Sequence, residues 1–158
     1  MANTIQGDLN AGEIRFGILL SRFNQIVTDR LLEGALDCLE RHGADPTRID
    51  VIRVPGSFEL TATAHRVARL GRYDVLICLG ALIRGETGHY EILAREVCRG
   101  LSEVGKSTGI PISFGVLTVD NLEQALERAG GKMGNLGSQA AGTAIEMARL
   151  FRKLREKS

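Results

Sequence analysis

A three-layer α/β/α sandwich on a central parallel sheet of four strands is the fold class that this sequence predicts, and three observations predict it. Apolar runs of strand length alternate along the chain with segments whose apolar residues recur at three-to-four spacing, the pattern of successive strand–helix–strand crossovers. The longest run, Asp74 to Ile83, is continuous and rich in aliphatic residues, as a parallel strand buried on both faces must be. Glycines at Gly43, Gly71 and Gly130-Gly131 close helical segments where the chain has to turn back toward the sheet.

Each element follows from its local pattern. Arg15 to Leu20 is the first strand, and Ser21-Arg22-Phe23-Asn24 turns the chain into a helix whose buried face is Val27, Leu31, Ala35, Leu36 and Leu39. Ile49 to Val54 is the second strand. Pro55-Gly56 breaks it, and Leu60, Ala64, Val67 and Ala68 mark a second amphipathic helix. Asp74 to Ile83 is the third strand, followed by a helix with Leu93, Val97, Leu101 and Val104 on one face. Pro111 to Leu117 is the fourth strand. Asp120 with Glu123 reads as a capping box that opens a fourth helix, which stops at Gly130-Gly131.

The last helix runs from about Leu136 to Leu154. Its small residues, Gly137, Ala140, Ala141, Gly142, Ala144 and Ala148, permit close approach of another helix, either within the chain or across a subunit interface. Right-handed crossovers then give a flavodoxin-like arrangement with helices on both faces of the sheet. Residues 1–13 are too polar for a core and are expected to form an N-terminal arm, before one domain over 14–158.

Composition narrows the function. A chain of 158 residues can bury one core without disulfide or metal staples. Twenty basic residues against nineteen acidic ones leave a net charge of +1, which gives no broad footprint for nucleic acid or an anionic membrane. Small-molecule chemistry is the expectation. No charged-then-apolar leader opens the sequence, and no apolar run approaches the roughly 18 residues of a membrane span, so a soluble, cytoplasmic protein is expected. Cys38, Cys78 and Cys98 are odd in number and set in apolar patterns, as buried structural thiols are.

The chemistry collects where parallel strands end. Loops after the first three strands share one edge of the sheet, so residues distant in sequence meet there. The first loop offers Arg22 and Phe23, the second Gly56, Ser57, Phe58 and Glu59, and the third Arg84, Glu86, Thr87 and His89. Glycines let backbone amides approach a ligand, and helix N-termini favour an anionic or oxygen-rich group, so a polyol, a phosphate or a planar heterocycle would suit these parts. Bland readings stand beside these. Glu59 suits a helix start through the dipole alone, Phe23 fits core filling as well as ring stacking, and Phe58 fits packing. Arg128 and Lys132 beside glycines could bind a phosphate or cap the fourth helix. A metal site is not expected, because His89 has no His or Cys partner at ligand spacing. Gly130-Gly131-Lys132-Met133-Gly134-Asn135 lacks the spacing of a phosphate-binding P-loop.

Taken in order, six motifs resemble the lumazine synthase family of riboflavin biosynthesis. They are Ser21-Arg22-Phe23-Asn24, Val54 to Leu60, Gly80 to His89, Phe114 to Thr118, Glu123 to Gly130, and Ala144 to Ala148, within about residues 14–154. The resemblance implies a transferase that condenses 5-amino-6-(D-ribitylamino)uracil with 3,4-dihydroxy-2-butanone 4-phosphate to 6,7-dimethyl-8-ribityllumazine, without cofactor or metal. It implies Phe23 stacked on the pyrimidine, and Ser57, Phe58 and Glu59 along the ribityl chain and ring edge. Ala81, Leu82 and Ile83 would line the heterocycle, Glu86, Thr87 and Arg128 would hold the phosphate, and His89 would shuttle protons. Phe114 and Arg128 would come from a neighbouring subunit of a homo-pentamer.

Two positions depart from the pattern. Leu136 stands where many members have lysine, and Thr61 where proline is common. The short stretch between Arg128 and the last helix permits a sixty-subunit icosahedral shell. A scaffold with vestigial sites is the alternative of another class, but it would have no use for Phe23, Glu59, His89 and Arg128 together.

Overall fold

A computed structural model of the chain describes residues 1–85 and 88–157. Its central strand, Val75–Ile83 (β3), is buried at every position. Alternation along that strand sorts the core into two layers, because successive side chains leave opposite faces of the sheet. Val75, Ile77, Leu79, Ala81 and Ile83 enter one apolar cluster, and Leu76, Cys78 and Leu82 enter the other.

The sheet is parallel throughout, in the order β2-β1-β3-β4, with β1 at Phe16–Ser21, β2 at Ile49–Val54 and β4 at Ile112–Val119. Helices α1 (Gln25–Arg41), α4 (Leu122–Glu127) and α5 (Leu136–Glu156) cover the first face, through residues such as Leu31, Ala125 and Ala144. Helices α2 (Glu59–Ala68) and α3 (Tyr90–Thr108) cover the second, through Leu60, Ala64, Val97 and Leu101. This is the expected α/β/α sandwich with a four-stranded parallel sheet.

Three details differ from the sequence expectation. The helix cap sits one residue later than the expected capping box of Asp120 and Glu123: Asn121 Oδ1 accepts from the Gln124 amide at 2.9 Å, and Gln124 Oε1 accepts from the Asp120 amide at 2.8 Å. Asn121 is the N-cap, whereas the glutamine reaches the amide of the residue before the cap, and β4 runs on to Val119, which moves the helix start along. The helix α4 ends at Glu127 instead of reaching the glycine pair. There the chain forms an antiparallel hairpin of β5 (Ala129–Gly131) and β6 (Gly134–Asn135), with Gly130 and Gly134 at φ 104° and 86°, which only glycine adopts readily.

The small residues of α5 are spent within the chain. A Cβ on Gly137 would lie 1.9 Å from the Leu31 carbonyl oxygen, so α1 and α5 touch through their backbones. Ala140, Ala141, Ala144 and Ala148 are buried in the same layer, whereas a Cβ on Gly142 would meet nothing within 4 Å. The polar N-terminal segment also reaches this layer. Ala11 is fully buried, Gly7 is packed against the backbone of α5, and Arg149 donates to the carbonyls of Asn10 and Gly12 while Lys153 donates to that of Gln6. No helix among the described residues is long and apolar enough to cross a membrane.

Candidate functional site

Because β1, β2 and β3 run parallel, their carboxyl ends open onto one edge, and the loops that leave them form a cleft of about 210 Å³. The first loop is fixed by Asn24, which takes up a left-handed backbone at φ 63° and ψ 48° and donates from Nδ2 to the Ala81 carbonyl at 3.3 Å. Asparagine tolerates that region better than most residues, and the bond ties the first loop to the end of β3. Phe23, one residue earlier, is left 56% exposed.

The second loop breaks at Pro55-Gly56 and starts α2 at Glu59. Ser57 is only 4% exposed, and its hydroxyl has no hydrogen-bond partner among the described residues. Phe58 beside it is 62% exposed. Glu59 occupies the first turn of α2, and its carboxylate lies close over Gly56. Two open phenylalanine rings and one buried, unsatisfied hydroxyl therefore meet within a single cleft. A flat apolar body with a hydroxylated substituent would satisfy both features.

The floor comes from Ala81, Leu82 and Ile83 of β3, and the far wall from Tyr90 and Leu93 of α3. Tyr90 escaped the sequence reading, although an aromatic residue directly after His89 at a helix start was a usable signal. Leu93 had been assigned to the helix's core face, and it serves the cleft as well. His89 is exposed and forms the N-terminal boundary of α3, one residue from Tyr90, and its carbonyl accepts from the Leu93 amide at 2.8 Å. Arg84 is turned elsewhere: it pairs with Glu91 and Asp120, each at 3.1 Å, and lies over the Tyr90 ring. Glu86 and Thr87 lie outside the described residues.

Phe114 and Arg128 do not line this cleft. Phe114 projects from edge strand β4, 40% exposed, into an apolar groove of about 570 Å³ shared with Leu101, Ile112, Met147 and Phe151. Arg128 ends α4 and lines a separate depression of about 320 Å³ with Thr118, Leu136 and Gln139, where its guanidinium donates to the Gln124 carbonyl at 3.3 Å. Lys132 lines yet another depression, beside Arg30 and Leu122, so the hairpin separates the two cations that are four apart in sequence. The cleft by itself is smaller than the roughly 300–1,000 Å³ usual for ligand sites. The predicted residues thus fall into two groups on one chain.

Among the described residues no group of three or more His, Cys, Asp or Glu side chains could hold a metal ion. Burial pushes the Cys78 thiol up to about 12 and raises that of Cys38, so both stay protonated and inert near neutral pH. Cys98 is exposed on α3, which corrects the expectation that all three thiols are buried; it stands on the outer side of an amphipathic helix.

With this geometry in place, comparison with known families gives a match over most of the chain. The family model described as 6,7-dimethyl-8-ribityllumazine synthase matches residues 13–152.

Proposed function

The chain belongs to the 6,7-dimethyl-8-ribityllumazine synthase family, and from that premise we propose that it joins 5-amino-6-(D-ribitylamino)uracil to 3,4-dihydroxy-2-butanone 4-phosphate. Membership places it in riboflavin biosynthesis as a transferase. The products would be 6,7-dimethyl-8-ribityllumazine, phosphate and water. The observation that carries the reading is the cleft itself, where exposed Phe23 and Phe58 accompany the orphaned Ser57 hydroxyl above an apolar β3 floor. A pyrimidine that bears a polyol has this combination of a flat face and several hydroxyls.

In this reading Phe23 stacks on the pyrimidine and Ala81, Leu82 and Ile83 pack along its edge. Ser57, Phe58 and Glu59 take the ribityl chain. The 5-amino group attacks the ketone, the carbinolamine loses water to an imine, elimination of phosphate leaves an enol that tautomerises to a new carbonyl, and the ribitylamino nitrogen closes the ring on that carbonyl with loss of a second water. His89, at the rim beside Tyr90, exchanges protons in these steps, a task suited to an imidazole near neutral pH. Amine and ketone are reactive partners already, so holding them together supplies much of the rate.

Glu86, Thr87 and Arg128 hold the phosphate, with Phe114 closing over the ring. In this reading Arg128 and Phe114, which stand outside the chain's own cleft, come from the next copy around a homo-pentamer. The short β5–β6 hairpin leaves the pentamer free to build a sixty-subunit icosahedral shell. Leu136 lines the Arg128 depression in the place of a lysine, and Arg128 carries the phosphate there without it.

The test is to mix the protein with both substrates and follow the lumazine chromophore and released phosphate against a control without protein. Acceleration that depends on Arg128 supports the synthase. A trace equal to the control, from folded and assembled protein, would overturn it.

A further inference from the structure

Beneath the cleft lies an arrangement that the reading above does not use. Ser21 ends β1, and the register that pairs Leu20 with Leu79 brings Ser21 beside Gly80 on β3. Ser21 follows Leu19 on the α2/α3 face, and Gly80 falls between Cys78 and Leu82 on that same face. A side chain on Gly80 would have no room. Its Cβ would stand 2.6 Å from the Ser57 hydroxyl oxygen and 3.5 Å from the Ser21 Cβ. The absent side chain is what lets the Ser57 hydroxyl sit down onto the sheet.

Ser21 is fully buried, and its hydroxyl, like that of Ser57, has no hydrogen-bond partner among the described residues. Two serines with orphaned hydroxyls packed about one glycine are a costly arrangement for a core, because each unsatisfied polar group forfeits hydration without return. Alanine at either position would remove that cost. Serine at both, over a glycine, is sensible where the hydroxyls are satisfied in the bound state.

We propose that Ser21 and Gly80 are positioning residues of the cleft: Gly80 leaves the slot and Ser21 backs it, so that the Ser57 hydroxyl is held to read a hydroxyl of the ligand's polyol chain. The proposal rests on the functional reading above and adds two residues to it. Neither needs to touch the ligand, since both act through Ser57.

The experiment uses two probes that differ only in the polyol, 6,7-dimethyl-8-ribityllumazine and 6,7,8-trimethyllumazine, titrated by fluorescence into the intact protein and into Ser21→Ala, Ser57→Ala, the double variant and Gly80→Ala. A Ser21 hydroxyl that bonds to Ser57 only in the bound state predicts about threefold to tenfold weaker binding of the ribityl probe in Ser21→Ala, with the trimethyl probe unchanged. Thermal stability should hold or rise, because an unsatisfied buried group is gone. The double variant should bind the ribityl probe no worse than Ser57→Ala alone, as residues acting in series do. Gly80→Ala should lose the same discrimination. Should it fail to fold, Ser21→Ala still decides.

Equal losses for both probes, or none, with the unsubstituted protein binding normally, would overturn the positioning role and leave the functional reading standing. If the unsubstituted protein binds neither probe and forms no lumazine, both fall together.

Discussion

The cleft at the ends of β1, β2 and β3 and the face along β4 belong to one sheet, yet they are finished to different degrees. The cleft has a floor, three aromatic side chains and loops tied together by the Asn24 bond to Ala81. The β4 face offers Phe114 in an apolar groove between α3 and α5, and Arg128 in a separate depression beside the start of α5. Central strands are walled by their own neighbours, whereas an edge strand faces outward and has to be completed from outside. In the proposed function one chain carries two halves of different sites, and a ring of copies would bring unlike halves together.

The largest expected effect comes from separating those halves. Phe23→Ala removes a stacking face worth about 1–3 kcal/mol, roughly 5-fold to 150-fold in the ribitylaminouracil KM. Arg128→Ala removes a charge-assisted contact of about 1.5–3 kcal/mol and should raise the KM for butanone phosphate by roughly 10-fold to 150-fold. Neither variant alone should be efficient. Co-assembled from a mixture, they should regain activity, because some interfaces then pair an intact cleft with an intact Arg128. Steady-state assays on mixed particles, with subunit exchange verified by mass spectrometry, check this. No recovery in verified mixtures would mean that both residues serve the same chain's site.

His89→Ala probes the cleft half alone. General acid–base catalysis commonly supplies about 100-fold to 10,000-fold, but here juxtaposition of two reactive partners should carry most of the rate. The expected loss in kcat is at the lower end, about 100-fold or less, with measurable lumazine formation remaining. Complete inactivity of a folded, assembled variant would shift the burden from positioning to proton transfer.

The third contrast lies along α5, between the side that packs on α1 and the side that does not. Gly137→Ala drives a methyl into the Leu31 carbonyl and should cost at least the roughly 1–3 kcal/mol typical of an overpacked core. Gly142→Ala meets nothing within 4 Å and should gain about 0.5–1 kcal/mol from the better helix former. Thermal denaturation of both variants checks the pair. A folded Gly142→Ala protein that no longer assembles would place that residue at a subunit interface.

Much of this architecture was legible because the physics that decides it is local. Val75 to Ile83 had to be a central strand, and the buried faces of α2 and α3 follow from spacing alone. What escaped depends on contacts that no window of sequence contains. The β5–β6 hairpin looked like a helix stop, since glycine pairs end helices and also turn hairpins. Ala11 looked like part of a polar arm until the cations of α5 drew its neighbours down. In the site, the residues at the strand ends were found because parallel topology gathers them. Tyr90 was hidden behind His89, and the slot under Ser57 exists only once Ser21 and Gly80 are paired across strands.

The smallest expected effect is also a direct view of the unfinished face. Cys78 lies inside the sheet, fully buried with its thiol pushed up to about 12, and Cys98 lies in the same groove as Phe114. A thiol reagent at mildly alkaline pH should leave Cys78 untouched in any assembly state, since both access and thiolate are denied until the chain unfolds. Cys98 should label readily on a dissociated chain and severalfold more slowly in the assembled protein, because a neighbour that completes the Phe114 groove also covers the sulfur. Peptide mapping after timed alkylation separates the two thiols. Equal Cys98 rates before and after dissociation would mean that the β4 groove stays open in the assembly, and the pairing of unlike halves would have to run through Arg128 alone.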